Sequence, residues 1–207
     1  MNPLIRRFAK ALQETEVPSD VNNFYAAART NIQRHNLQAY LQQMWELRPD
    51  TLLVGEAPGY NGCARTGVPF SSEKLIREGV LDGKVFGEHN GYKISHKTVV
   101  HEQSAAAMWE VLARIENIPL LWNAYPFHPH LGNDRNSNRK PRASELKVGM
   151  EILEEIIALF GIKKVVAVGN AAEEVLRKMG LDHAKVRHPS YGGKTAFTLG
   201  IMELLKD

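Results

Sequence analysis

Three stretches of this chain place chemically capable side chains just past short apolar runs. "VGEAPGYNGCARTGVPF" at 54–70 opens with the carboxylate of Glu56 and closes with the ring of Phe70. "LWNAYPFHP" at 121–129 carries the amide of Asn123, and "HPSYGGK" at 188–194 carries the imidazole of His188. A carboxylate can orient a water molecule or stabilise a neighbouring cation. An amide held in one orientation presents its donors and its acceptor in a set order, and so reads the polar edge of a ligand. A neutral imidazole that donates its N–H stabilises negative charge as it develops, the kind of contact that raises a rate. Gly55, Gly59, Gly62 and Gly67 let the main chain come close to a ligand, so that backbone amides near Ala57 and Gly59 can polarise it too.

Residues so far apart in the chain meet only if regular elements carry their loops to one edge. Four apolar runs read as buried strands: "TLLV" at 51–54, "IPLLW" at 118–122, "KKVVAV" at 163–168 and "AKVR" at 184–187. Between and before them lie helix-period stripes: Leu37, Tyr40, Leu41, Met44 and Trp45; Met108, Leu112 and Ile115; and Leu146, Met150, Leu153, Ile157 and Phe160. A further stripe, Ala172, Val175, Leu176 and Met179, has Asn170 as its expected N-cap and Gly180 at its end. The alternation predicts an α/β fold, a three-layer α/β/α sandwich around a mainly parallel four-stranded sheet. Ligands of such sheets bind beyond the carboxyl ends of the strands, which is where the three stretches fall, with "GNAAEE" after the third strand. Residues 83–101 break the rhythm, and Asn90-Gly91 predicts a hairpin turn in an insertion beside the active face. No repeat or linker divides the chain, so one domain is expected over 1–207, with N-terminal helices at 1–48 and an α/β core from about 50 to 207.

The 207 residues are 43% hydrophobic, enough for one core without disulfides or structural metal. Cys63 is the only cysteine, which excludes a disulfide framework and any all-cysteine zinc or iron–sulfur site. The N-terminus lacks the apolar core of a signal peptide and no run is long enough to span a bilayer, so a cytoplasmic protein with no membrane partner is expected. A formal charge of +3 permits a nucleic-acid partner without requiring one.

Taken in this order, the three stretches resemble the uracil-DNA glycosylase superfamily. "GEAPG" is similar to the first motif of its iron–sulfur branch, and "TGVPF" to the single-strand-selective monofunctional branch. "LWNAYPFHP" is similar to the asparagine-containing middle motif, and "HPS" to the start of the last. The resemblance covers about residues 50 to 195. It implies a monofunctional DNA glycosylase, a hydrolase that cuts the N-glycosidic bond of uracil or of a related deaminated base such as hypoxanthine, in base excision repair. DNA is then the partner, the protein a monomer, and no cofactor or metal is implied. The iron–sulfur branch holds its cluster with four cysteines, and one cysteine here means that the cluster is absent. Ala57 stands where the most efficient branch has a water-activating aspartate, and Gly59 where that branch has a tyrosine that excludes the thymine methyl. Both departures argue against strict uracil selectivity and high turnover.

The resemblance gives each residue a role, and the residues themselves leave rival readings open. Asn123 would accept from uracil N3–H and donate to O4, a pattern that cytosine reverses; otherwise it ties down a loop. Phe70 would stack on the flipped ring or belong to the core. His188 would donate to O2 of the departing base. Glu56 would orient the attacking water or stabilise the sugar cation, or else brace its loop by accepting backbone N–H bonds. Gly55, Ala57 and Gly59 would line the base pocket. Ser71, Ser72 and Ser190 would contact phosphate, Tyr191 would plug the gap left by the flipped base, and Lys194 would lie near phosphate. Arg139, with Arg135, Lys140 and Arg142, makes a basic stretch that either meets DNA or is solvated. His128 and His130 alternate without a third metal ligand and read as loop residues near DNA. The rival functions are a catalytically weak or inactive nucleic-acid-binding member of the same fold, and a nucleotide-binding α/β protein, which its Gly-rich turns suggest but no phosphate-binding fingerprint supports.

Overall fold

The computed structural model describes residues 1–26, 31–94 and 99–205. In chain order the elements are α1 (Pro3–Glu14), β1 (Val21–Asn22), α2 (Ile32–Leu47), β2 (Thr51–Gly55), α3 (Cys63–Thr66), α4 (Glu73–Glu78), α5 (Gln103–Leu112), β3 (Leu120–Asn123), β4 (His128–Pro129), α6 (Ala143–Phe160), β5 (Lys164–Val168), α7 (Asn170–Lys178), β6 (Ala184–Val186) and α8 (Lys194–Leu205). The chain forms two compact units, each gathered from three segments.

The sheet unit comprises Leu47–Ala57, Gln103–Pro126 and Lys140–Asp207. Its four strands lie in the order β3-β2-β5-β6, and all neighbours are parallel. β2 and β3 are wholly buried, which is why they read as unbroken apolar runs rather than as alternating ones. With right-handed crossovers, the step from β2 to β3 and the steps from β3 to β5 and β6 run in opposite directions, so α5 covers one face and α6 and α7 the other. α8 packs on both β6 and α5. The expected three-layer α/β/α arrangement is what this unit adopts.

The expected helix faces hold for α2, α5 and α7, whose buried residues include Leu37, Tyr40, Leu41 and Met44, then Met108 and Leu112, then Ala172, Val175 and Leu176. On α6 the buried stripe is Glu145, Gly149, Leu153 and Ile156, rotated from the expected Leu146, Met150 and Ile157. The cause is close packing: a Cβ on Gly149 would strike the Ala124 carbonyl oxygen, so the helix turns its glycine toward the strand end. Gly169, not Asn170, is the N-cap of α7, because it takes the left-handed φ of 89° that turns the chain out of β5.

The loop-rich unit comprises Met1–Glu46, Pro58–Glu102 and Phe127–Arg139. α1 buries Ile5, Phe8, Ala9 and Leu12, and its N-cap Asn2 accepts from the Leu4 N–H. A two-residue antiparallel pair, β1 with β4, joins Val21 to Pro129 and Asn22 to His128, and is too short to leave a periodic signal. The hairpin expected at Asn90-Gly91 is replaced by a 3₁₀ turn, Glu88–Asn90, capped by left-handed Gly91, while the antiparallel bridge joins Val80 to Val85. Part of that expected hairpin, 95–98, lies outside the described residues.

Candidate active site

Register places the chemistry of the sheet unit along one rim. Gly55 pairs with Asn123, each at the last position of its strand. The ladder runs on past both strands, with Ala124 N–H donating to Gly55 O at 2.8 Å and Tyr125 N–H to Glu56 O at 3.0 Å. On the other side β2 neighbours β5, and β5 neighbours β6, which leads to His188. The connections leaving β2 and β5 diverge, so the crevice outside these two strands is the switch point at which open α/β sheets bind ligands. Asn123 ends the edge strand β3, and His188, two residues past β6, lies against the end of β5, where a Cβ on Gly169 would come within 3.1 Å of the His188 Cβ.

Asn123 is 5% exposed, and no group among the described residues hydrogen-bonds its side-chain amide. Its position reflects the gap that Gly149 leaves beside Ala124. Helix propensity alone makes Gly149→Ala stabilising by about 1 kcal/mol. The close approach predicts the opposite: stability lower by about 1–3 kcal/mol from overpacking, seen as a lower thermal midpoint, together with slower turnover as the strand end shifts. Calorimetry on this variant separates the two signs.

His188 is held by its own loop. The Ser190 N–H donates to Nδ1 at 3.2 Å, and Ser190 Oγ lies 2.7 Å from the same nitrogen. A main-chain N–H can only donate, so Nδ1 is the acceptor and the neutral ring carries its proton on Nε2. Gly193 permits the bend, since a Cβ there would meet the His188 carbonyl oxygen. The loop tip is Tyr191, 97% exposed and in the left-handed region at φ 51°. Lys194 opens α8 and pairs with Glu110 at 2.6 Å on an exposed surface, where such a bond exchanges readily for another anion.

Glu56 is half-buried, and burial holds its carboxyl above the ordinary 4.5 while Lys140 pulls the other way. Among the described residues no backbone N–H is bonded to that carboxylate, which leaves the loop-bracing role without a partner.

The loop-rich unit holds the rest of the expected set. Gly59 O accepts from the N–H groups of Gly62 and Ala64, and Tyr60 N–H donates to Asn138 Oδ1 at 3.1 Å, so the first loop is tied to the segment after β4. Phe70 is half-buried with φ 48°, a conformation that an aromatic residue adopts only under constraint.

A model of the uracil DNA glycosylase superfamily matches residues 43–202. The chain belongs to the uracil DNA glycosylase superfamily. The crystal structure of wild-type Pedobacter heparinus SMUG2 is similar in fold: 18% of residues are identical, the TM-score is 0.68, and the match covers 100% of this chain and 98% of that one. Superfamily membership accounts for the order of the three loops and for the rim on which Gly55, Asn123 and His188 stand.

Several side chains that the resemblance sends toward DNA are engaged within the protein. Ser71 is fully buried, its hydroxyl 2.6 Å from Thr66 Oγ1 and donating to Val68 O at 2.7 Å. Ser72 is also buried and caps α4 by accepting from Leu75 N–H. Arg139 donates to the His130 and Asp20 carbonyls and pairs with the Asp20 carboxylate at 3.3 Å. Ser71 would have to give up its bond to Val68 O to donate to a phosphate, whereas Ser72 and Arg139 are held in place by the bonds they make. His128 and His130, expected as loop residues near DNA, are buried at 1% and 2% exposure. The His128 ring lies between the Pro58 and Arg135 carbonyls, at 2.8 and 3.2 Å, and its burial lowers its proton affinity. His128 and Arg139 fasten the segment after β4, while neither ring nitrogen of buried His130 has a hydrogen-bond partner among the described residues. Among the described residues no cluster could hold a metal ion, and no helix is long and apolar enough to cross a membrane.

Sequence reasoning did not single out Gly149 or Gly193. A glycine inside a strongly helical stripe carried the signal for the first, because such a residue costs about 1 kcal/mol against alanine and needs a packing reason.

Proposed function

We propose that this chain is a monofunctional DNA glycosylase that hydrolyses the N-glycosidic bond of uracil or of a related deaminated base. The observation that carries the reading is the His188 tautomer, with an N–H on Nε2, at the carboxyl rim that also bears the buried Asn123 amide. The target nucleotide leaves the stack at a cost of roughly a few kcal/mol. Asn123 accepts from N3–H and donates to O4, while His188 donates from Nε2 to O2. The bond from sugar C1′ to the base nitrogen lengthens, its electron pair moves to the base, and the His188 donor stabilises the resulting anion. Water adds to the sugar cation and loses a proton. A pyrimidine ring bound outside β2 and β5 would have Asn123 of β3 on one side and His188 on the other.

Glu56 serves best as the group that orients the water, because a half-buried carboxylate next to a developing cation becomes more favourable as charge grows. Phe70 supplies the stacking face. Tyr191 is the plug, since an aromatic held out at 97% exposure on a strained turn has no packing function in the free protein. Lys194 exchanges Glu110 for phosphate on binding. Ala57 contributes no functional group to the first loop, so turnover is slow and the base pocket tolerant at C5, where Gly59 leaves room. Ala57 also favours the second reading, a member that binds damaged DNA without cutting it.

The test is a set of oligonucleotides carrying uracil or hypoxanthine, single-stranded and opposite adenine or guanine, treated with enzyme and then with alkali. Strand breaks only after alkali support monofunctional excision. Binding without breaks on every substrate overturns it in favour of the second reading. The Glu56 assignment makes a separate prediction. Burial raises the carboxyl pKa, so the active carboxylate is lost earlier on acidification than an ordinary one, and kcat/KM falls with a midpoint above 4.5. In Glu56→Gln that limb is expected to vanish along with most of the rate; an unchanged pH profile in the variant assigns the limb to another group.

A further inference from the structure

Three consecutive main-chain carbonyls in the first loop are each taken by a side chain from residues 25–36. Gln33 Nε2 donates to Arg65 O at 3.2 Å, Asn36 Nδ2 to Thr66 O at 2.9 Å, and the Tyr25 hydroxyl to Gly67 O at 3.1 Å. Asn36 is fully buried and uses its whole amide: Nδ2 also donates to Lys93 O at 2.8 Å, and Oδ1 accepts from Lys93 N–H at 2.9 Å. Gly67 lies directly on the backbone of Gln33, where a Cβ would collide with the Gln33 carbonyl oxygen. Its φ of 83° turns the chain into 68–71, and there Thr66 Oγ1 and Ser71 Oγ, 2.6 Å apart, close the loop around Phe70. Buried carbonyls take hydrogen bonds wherever the fold supplies donors. Three adjacent ones served by three separate side chains immobilise the segment from which a strained residue projects.

All three donors precede residues 43–202, the part of the chain that the superfamily model matches. We propose that Tyr25, Gln33 and Asn36 are positioning residues for Phe70: they hold the 65–67 carbonyl row so that the loop presents the ring in its left-handed conformation, and they set the excision rate without touching the base. The proposal rests on the glycosylase reading above and on the stacking role that it gives Phe70. A loop released from one donor samples conformations in which Phe70 no longer offers its face. The penalty then falls on the chemical step, because orientation of the base is lost.

Tyr25→Phe is the primary variant, since it keeps the buried ring and removes the hydroxyl that donates to Gly67 O and also meets the Cys63 thiol, while Asn36→Ala removes the central amide. The measurements are single-turnover excision of uracil, substrate binding, thermal unfolding, and amide hydrogen exchange across 65–71. Tyr25→Phe is expected to unfold cooperatively, to bind substrate within about twofold of the parent, and to excise about tenfold more slowly. In a Phe70→Ala background the same substitution is expected to change the rate less than twofold. An equal loss in both backgrounds overturns the proposal, because Tyr25 would then act elsewhere, and so does an undiminished rate in the single variant. Exchange at Val68 and Ser71 is expected to accelerate in Tyr25→Phe, with other amides unchanged. If the parent protein cuts no substrate, the glycosylase reading has failed, and the exchange measurement alone decides whether the brace exists: unaltered protection at 65–71 removes it. Asn36→Ala serves as the second variant; if it fails to fold, the Tyr25 comparison stands by itself.

Discussion

His188→Ala is expected to slow single-turnover excision of uracil by roughly 10²- to 10³-fold, the loss that follows removal of one preorganised donor to a developing anion. The Ser190 N–H approaches Nδ1 and thereby keeps the ring proton on Nε2. That donor gains strength only as the base takes on charge, so its removal lowers kcat more than it raises KM. The side chain is half-buried at the end of a loop, and its truncation opens no cavity in the core, so the thermal midpoint is expected to stay near that of the parent. Ser190→Ala makes a sharper comparison. It removes the hydroxyl but leaves the main-chain N–H, and with it the tautomer, so its loss of rate is expected to be much the smaller of the two. Parent-like excision by His188→Ala would remove this residue from the mechanism.

Asn123→Ala is expected to lower uracil excision by roughly 10²-fold, from two hydrogen bonds of about 1.5 kcal/mol each. It is also expected to narrow the preference for uracil over cytosine, because discrimination comes from the fixed order of donor and acceptor on the amide. A side chain that is 5% exposed and without a protein partner among the described residues sits in the environment in which such hydrogen bonds count most. Excision assays on matched uracil and cytosine oligonucleotides, with circular dichroism to confirm the fold, measure both effects. A variant that loses rate while keeping its full preference would show that Asn123 supports the loop and that another group reads the base.

The two substitutions differ in what surrounds them, and this sets the controls. His188 projects from a loop whose shape depends on Gly193. Asn123 ends a buried strand beside Gly149, so Gly149→Ala reports on the same strand end without removing the amide.

The runs at 51–54, 118–122 and 163–168 were legible because strands buried on both faces are nearly continuous in hydrophobic residues, and the loops after them must then carry the polar chemistry; at 184–187, where Lys185 is exposed, the edge strand keeps only a short apolar signal. The same logic placed Gly55, Asn123 and His188 at one rim, since parallel strands bring all carboxyl ends to one edge. What a linear reading misses is the partner of each polar group. Ser71 and Arg139 look like phosphate ligands by residue type, yet Thr66, Val68, Asp20 and His130 claim them, and hydrogen-bond partners many residues away leave no local signature. The α6 stripe was rotated for a related reason: periodicity reports which residues are apolar, whereas the contact at Gly149 depends on the shape of the strand end that it meets. The sheet, the order of its loops and the candidate chemistry can be read along the chain, because they follow from hydrophobic pattern and strand direction. The His188 tautomer, the brace on 65–67 and the partners of the engaged polar groups emerge only in the tertiary structure, because each depends on distances between atoms that the chain brings together only when folded.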